Sequence, residues 1–193
     1  MMSKKKLSPE IQAIISASDA GLLTTTVKLV EAYLVDNPSS IRGWLDLGQA
    51  LLQLGRYEAA EDALHKVIEI DGSQSGPIYG EIGNLFRAKG DYETAGQWYQ
   101  KQIASDPGDP IGHLYLGNLL MRKGDFANAT QSLKTALACE NVCLEEVHYS
   151  LGLAYRGAGE LVEAKRHFEA ALTYDSAFAD AKVALKDVRL SLR

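Results

Sequence analysis

Cys139, Cys143 and His148 form a C-x3-C-x4-H array, the one place in the chain where soft and borderline ligands crowd together. Three such ligands with a water as the fourth can hold zinc. The spacing matches no familiar finger, however, and Cys139 falls where an apolar residue is expected, so the preferred reading is a pair of buried structural thiols. A disulfide between them is not expected in a reducing compartment. His65 and His167 have no Asp or Cys at a spacing useful for acid-base work. His113 and His148 recur at one packing position, which an imidazole fills with one nitrogen hydrogen-bonded. Trp98 beside Tyr99 suggests a ligand cage or, more simply, a packed aromatic pair. No phosphate-cradling Gly-rich loop, nucleophile elbow, metalloprotease helix or dinucleotide fingerprint is present. Neither an enzyme nor a bound cofactor or metal is expected.

The elements that would position these residues are set by glycine. Gly48, Gly83, Gly117 and Gly152 are separated by 35, 34 and 35 residues, and Gly55, Gly90, Gly124 and Gly159 keep step seven residues later. Around the first pair the chain reads Trp44-x2-Leu47-Gly48-x2-Leu51, then Tyr57, Ala60 and Leu64. This pattern resembles the tetratricopeptide repeat, a helix-turn-helix unit of about 34 residues that stacks into a solenoid. The resemblance implies an all-α, right-handed superhelical solenoid forming one domain over 1–193. It has a degenerate repeat at 7–40, four clear repeats at 41–75, 76–109, 110–144 and 145–178, and a capping helix at 179–193. In the degenerate repeat Ala13-Ile14 replaces Leu-Gly. The small residues Gly48, Gly83, Gly117 and Gly152, with Ala60, Ala95, Ala129 and Ala164, are expected to let paired helices approach, while Leu64, Tyr99, Leu133 and Phe168 fill the space between them. Ser39 and Ser40 can cap a helix running to about Leu54, and Tyr57 to Ile70 should form the next. In the last helix Ala181, Leu185, Val188 and Leu192 make a docking stripe beside a wet stripe of Lys182, Lys186, Arg189 and Arg193.

Composition narrows the partners. Lys and Arg number 20 against 25 Asp and Glu, a net charge of −5, which opposes the counterion-releasing contacts of non-specific nucleic-acid binding. The stretch after Lys4-Lys5-Lys6 contains Glu10, Gln12 and Asp19 in place of an apolar run, so a signal peptide is not expected. With no apolar stretch of about 18 residues, no membrane span is expected either, and the expected location is cytoplasmic.

In solenoids of the resembled family the first helices of successive repeats line a concave groove. The facing positions here are Arg42, Leu45, Gln49 and Leu52, followed by Asn84 and Arg87. The third repeat supplies Ile111, Leu114, Asn118 and Met121, and the fourth Tyr149, Leu153 and Arg156. Gln49, Asn84 and Asn118 form an amide ladder whose donors and acceptors match a peptide backbone. Relatives that bind chaperone tails grip a carboxylate with basic residues, and this chain places Leu45, Gln49, Glu81, Ile111 and Tyr115 at those positions. The expected function is therefore a non-enzymatic adaptor holding a peptide or helix of another protein. The alternative is a scaffold assembled from copies of the chain itself.

Overall fold

The computed structural model describes residues 8–71 and 76–193. Among these, eleven helices and no strand are present. They fall into two compact units, Met1–Asp91 and Tyr92–Arg193. The first holds α1 (Pro9–Asp19), α2 (Leu23–Asp36), α3 (Ile41–Gln53), α4 (Tyr57–Asp71) and α5 (Gly76–Lys89). The second holds α6 (Tyr92–Ser105), α7 (Pro110–Arg122), α8 (Phe126–Leu137), α9 (Leu144–Gly157), α10 (Leu161–Tyr174) and α11 (Ala179–Ser191).

Short polar side chains fix the starts of α1, α3, α7 and α8. Ser40 accepts from the Gly43 N–H at 3.1 Å, and Asp125 accepts from Asn128 N–H at 3.2 Å, each satisfying a donor with no partner inside its helix. The ends of α3, α5, α7 and α9 are closed by the second glycine series. Gly55, Gly90, Gly124 and Gly159 all have φ between +71° and +84°, a region that costs other L-residues roughly 1–2 kcal/mol. After each of them the next N–H reaches back five residues, Arg56 to Leu51 O, Asp91 to Phe86 O, Asp125 to Leu120 O and Glu160 to Tyr155 O, a Schellman closure. Gly21, with φ +68° and a Leu22 N–H to Ala17 O bond of 2.9 Å, does the same in the degenerate repeat.

Within each unit, helices pack against their chain neighbours, and each first helix also meets the next, α3 with α5 and α7 with α9. The first glycine series sets the spacing inside the pairs. A Cβ at Gly48 would sit 2.9 Å from Leu64 Cδ2, at Gly117 2.6 Å from Leu133 Cγ, and at Gly152 2.5 Å from the Phe168 ring. Ala60, Ala129 and Ala164 are fully buried beside them, as are Leu64, Leu133 and Phe168, so small residues oppose large ones as the repeat pattern predicts. A second set of close approaches, Gly43 against Leu34 and Gly112 against Ile103 and Gln102, joins consecutive repeats.

In α11 the docking stripe holds for Ala181, Leu185 and Val188, which are buried, while Lys182, Lys186, Arg189 and Arg193 are exposed. Leu192 departs from that expectation. It lies past the last helical turn as the C-cap residue and is 43% exposed.

Candidate functional site

The first helices carry the candidate site, and their closing turns orient them. In α3 the Trp44 Nε1–H donates to Pro38 O at 2.8 Å, tying the helix to the turn that precedes it. His113 occupies the equivalent place in α7, with Nε2 3.3 Å from Pro107 O, so its Nε2–H tautomer donates to the same kind of carbonyl. Ser132 Oγ donates to the His113 carbonyl from α8, fixing the other side of that residue.

On the α3–α5 face of the first unit, Arg42 Nε donates to Asp46 at 2.7 Å. Gln49 Nε2 donates to Glu81 Oε1 at 3.1 Å, bridging the two helices. Glu81 is half-buried, and its carboxyl is pushed above the ordinary glutamate range by burial, against a smaller downward pull from the Gln49 bond. Leu45 and Leu52 are half-buried on α3, Asn84 is half-buried on α5, and Arg42, Gln49 and Arg87 are exposed.

In the second unit, Ile111 on α7 is 47% exposed, and Asn118 and Met121 are half-buried. Leu114 stands apart from this group. It is only 6% exposed and clusters with Val147 and Leu151 in the core, so it supplies packing under the face and not contact surface. On α9, Leu153 is half-buried and Arg156 exposed, while Tyr149 packs its ring 4.9 Å from Phe178 and 5.8 Å from Phe168. These side chains form faces with a few amides set among apolar groups.

The residues first considered for metal or acid-base chemistry lie elsewhere. Among the described residues no group of three or more His, Cys, Asp or Glu side chains could hold a metal ion, and Cys139, Cys143 and His148 are not gathered into one. Cys139 is half-buried and its Sγ–H donates to Thr135 O at 3.3 Å. Burial first, then Asp109 and Asp106, push its thiol pKa up. Cys143, expected to be a buried thiol, is exposed at the N-cap of α9. In the turn before it Asn141 takes a left-handed φ of +55°. Trp98 lies under Lys101 Nζ at 3.8 Å, and Tyr99 is fully buried against Tyr115, so the aromatic pair is split between a surface cation–π contact and the core.

His148 turns to a partner that spacing along the chain does not announce. Its Nδ1 lies 2.9 Å from Nδ1 of His167, which is buried, and its ring stacks on Tyr174. Arg166 Nη2 is 3.4 Å from His167 Nε2. A guanidinium only donates, so Nε2 accepts, the His167 proton sits on Nδ1 and donates to His148, and the His148 proton is on Nε2. Both rings are therefore neutral. Burial, with His148 and Arg166 adding to it, lowers the His167 pKa to about 4, and burial followed by Arg166 lowers that of His148.

Antiparallel helix pairs that repeat every 34 or 35 residues, each closed by a left-handed glycine, define a helical repeat protein. Models of the tetratricopeptide repeat match residues 41–74 and 145–178, and a TPR repeat model matches 83–124, together more than half of the chain. The chain belongs to the tetratricopeptide repeat family. It is 32% identical over 108 residues to human tetratricopeptide repeat protein 13, an alignment covering 56% of this chain and 12% of that protein. The chain thus spans about an eighth of that relative's length. Its fold is similar to that of a thermophilic TPR protein of Thermus thermophilus, with a TM-score of 0.77, 22% identity, and coverage of 94% of this chain and 97% of that one. It is also similar to the first TPR of Spaghetti (RPAP3) bound to the HSP90 peptide SRMEEVD, with a TM-score of 0.59, 25% identity, and coverage of 62% and 94%. Among the described residues no helix is long and apolar enough to cross a membrane.

Proposed function

We propose that this chain is a non-enzymatic adaptor whose first helices hold a peptide or helical segment of another protein. The observation that carries the reading is the make-up of those helices. Amides of Gln49 and Asn84 in one unit and Asn118 in the other stand among incompletely buried Leu45, Leu52, Ile111, Met121, Tyr149 and Leu153. Amides offer paired donors and acceptors to a peptide backbone, and the apolar neighbours offer contact to its side chains. The peptide-bound relative supports the binding mode, while its acidic peptide marks a difference in ligand. Positions that grip a carboxylate in clamp-bearing relatives hold Leu45, Gln49, Glu81, Ile111 and Tyr115 here, and none of these is cationic.

Affinity purification from a native lysate with the wild type and an Asn84→Ala, Asn118→Ala double variant side by side tests this. A protein retained by the wild type and lost by the variant supports the adaptor. Recovery of the same proteins by both, or of the chain alone, removes the special status of these faces and favours assembly of copies into a scaffold.

A further inference from the structure

The α3–α5 face of the first unit carries a half-buried carboxylate whose protein partner is an uncharged amide. Among the described residues Gln49 is the hydrogen-bond partner of Glu81, and no ion pair includes Glu81. The cations on α3 and α5 are otherwise engaged or displaced. Arg42 is held by Asp46, Lys89 reaches Glu61 on α4 at 2.9 Å, and Arg87 lies six residues further along α5, roughly 9 Å of helix rise away. A carboxylate has about four acceptor sites, and one amide donor leaves most of them for a ligand. Burial raises the carboxyl pKa, so an incoming cation would restore the charged form that desolvation disfavours.

Gln49, which reaches Glu81, shares its helix face with apolar side chains. Leu45 and Leu52 stand four residues before and three residues after Gln49, the spacing that places all three on one face of α3. Half-buried leucines on the helix face whose Gln49 holds a carboxylate suit a side chain with an aliphatic stem and a cationic head. We propose that this face selects a Lys or Arg side chain of the bound segment, with Glu81 as the counter-charge, Gln49 positioning its carboxylate, and Leu45 and Leu52 contacting the stem.

This inference rests on the adaptor reading and reverses the charge preference of a carboxylate clamp. A phage-displayed library of random peptides, selected in parallel on the wild type, Glu81→Gln and Glu81→Lys, tests it. The expected result is enrichment of Lys or Arg at one position for the wild type. Glu81→Gln should still recover peptides without that enrichment and bind a wild-type-selected peptide about tenfold more weakly, the scale of one charge-assisted hydrogen bond. Glu81→Lys should shift the selection to Asp or Glu. Retained Lys or Arg enrichment and affinity in Glu81→Gln overturn the inference. Peptides selected by the wild type without basic preference also overturn it while leaving the adaptor in place. Recovery of no peptide by any of the three proteins contradicts the adaptor reading itself, and this inference with it. Unchanged far-UV circular dichroism in the variants separates loss of recognition from loss of fold.

Discussion

At the scale of single residues, the chemistry that stands out is an acid-sensitive histidine pair. His167 is neutral in the fold, with its pKa lowered to about 4 from the ordinary histidine value near 6.5, and His148 is lowered in the same direction. Between those values the unfolded chain binds more protons than the folded one, so acid favours unfolding. Stability should be complete above about pH 6.5 and fall progressively as the pH drops toward 4, by roughly 1–3 kcal/mol from His167. Thermal midpoints across pH 7.5 to 4.5 would show this, and His167→Gln should flatten that part of the profile. The cysteines should differ just as plainly. Cys143 is exposed, while Cys139 is half-buried with a raised pKa, so Ellman's reagent should react with Cys143 at least about tenfold faster. Cys143→Ser should remove the fast phase alone. Neither feature was readable from spacing. His148 and His167 meet because α9 and α10 run antiparallel, and the exposure of Cys143 depends on the turn that carries it.

Helices and turns were far more legible. The expected cap at Ser40 and the helix ending near Leu54 correspond to α3, Ile41–Gln53, and the expected second helix from Tyr57 corresponds to α4. Local causes explain this agreement, because a capping hydroxyl and a left-handed glycine act within a few residues of their place in the chain. Gly21 shows how such a signal can be overlooked. It lies 34 residues before Gly55, in step with the second series, but Ala13-Ile14 in place of Leu-Gly hides the repeat around it. Gly21→Ala and Gly159→Ala should each lose about 1–2 kcal/mol through backbone strain, since neither meets an atom within 4 Å of an added Cβ. Gly152→Leu should lose more than either, at the upper end of the roughly 1–3 kcal/mol or more that overpacking costs, because its Cβ falls 2.5 Å from the Phe168 ring. Chemical denaturation midpoints would rank the three, and equal loss in all of them would contradict the close-approach account.

Across the whole molecule, the glycine periodicity alone identifies an all-helical repeat fold. It was a coarser guide to the surface. The position rule placed Leu114 beside Ile111 on the exposed face, yet Leu114 belongs to the core with Val147 and Leu151, and Leu192 is exposed instead of docked. Repeat position gives a side chain's bearing around its helix, whereas burial depends on the particular neighbours packed against it. Glu81 was legible only as a departure from a basic clamp, because its bond to Gln49 joins two helices 32 residues apart in sequence.

The most direct test of the adaptor account is the dissociation constant of a partner recovered from lysate, measured for the wild type and for Asn84→Ala, Asn118→Ala with helicity monitored. The account predicts at least about tenfold weaker binding by the variant, a loss of roughly 1.4 kcal/mol or more, with helicity unchanged. Equal dissociation constants for the two folded proteins would contradict it.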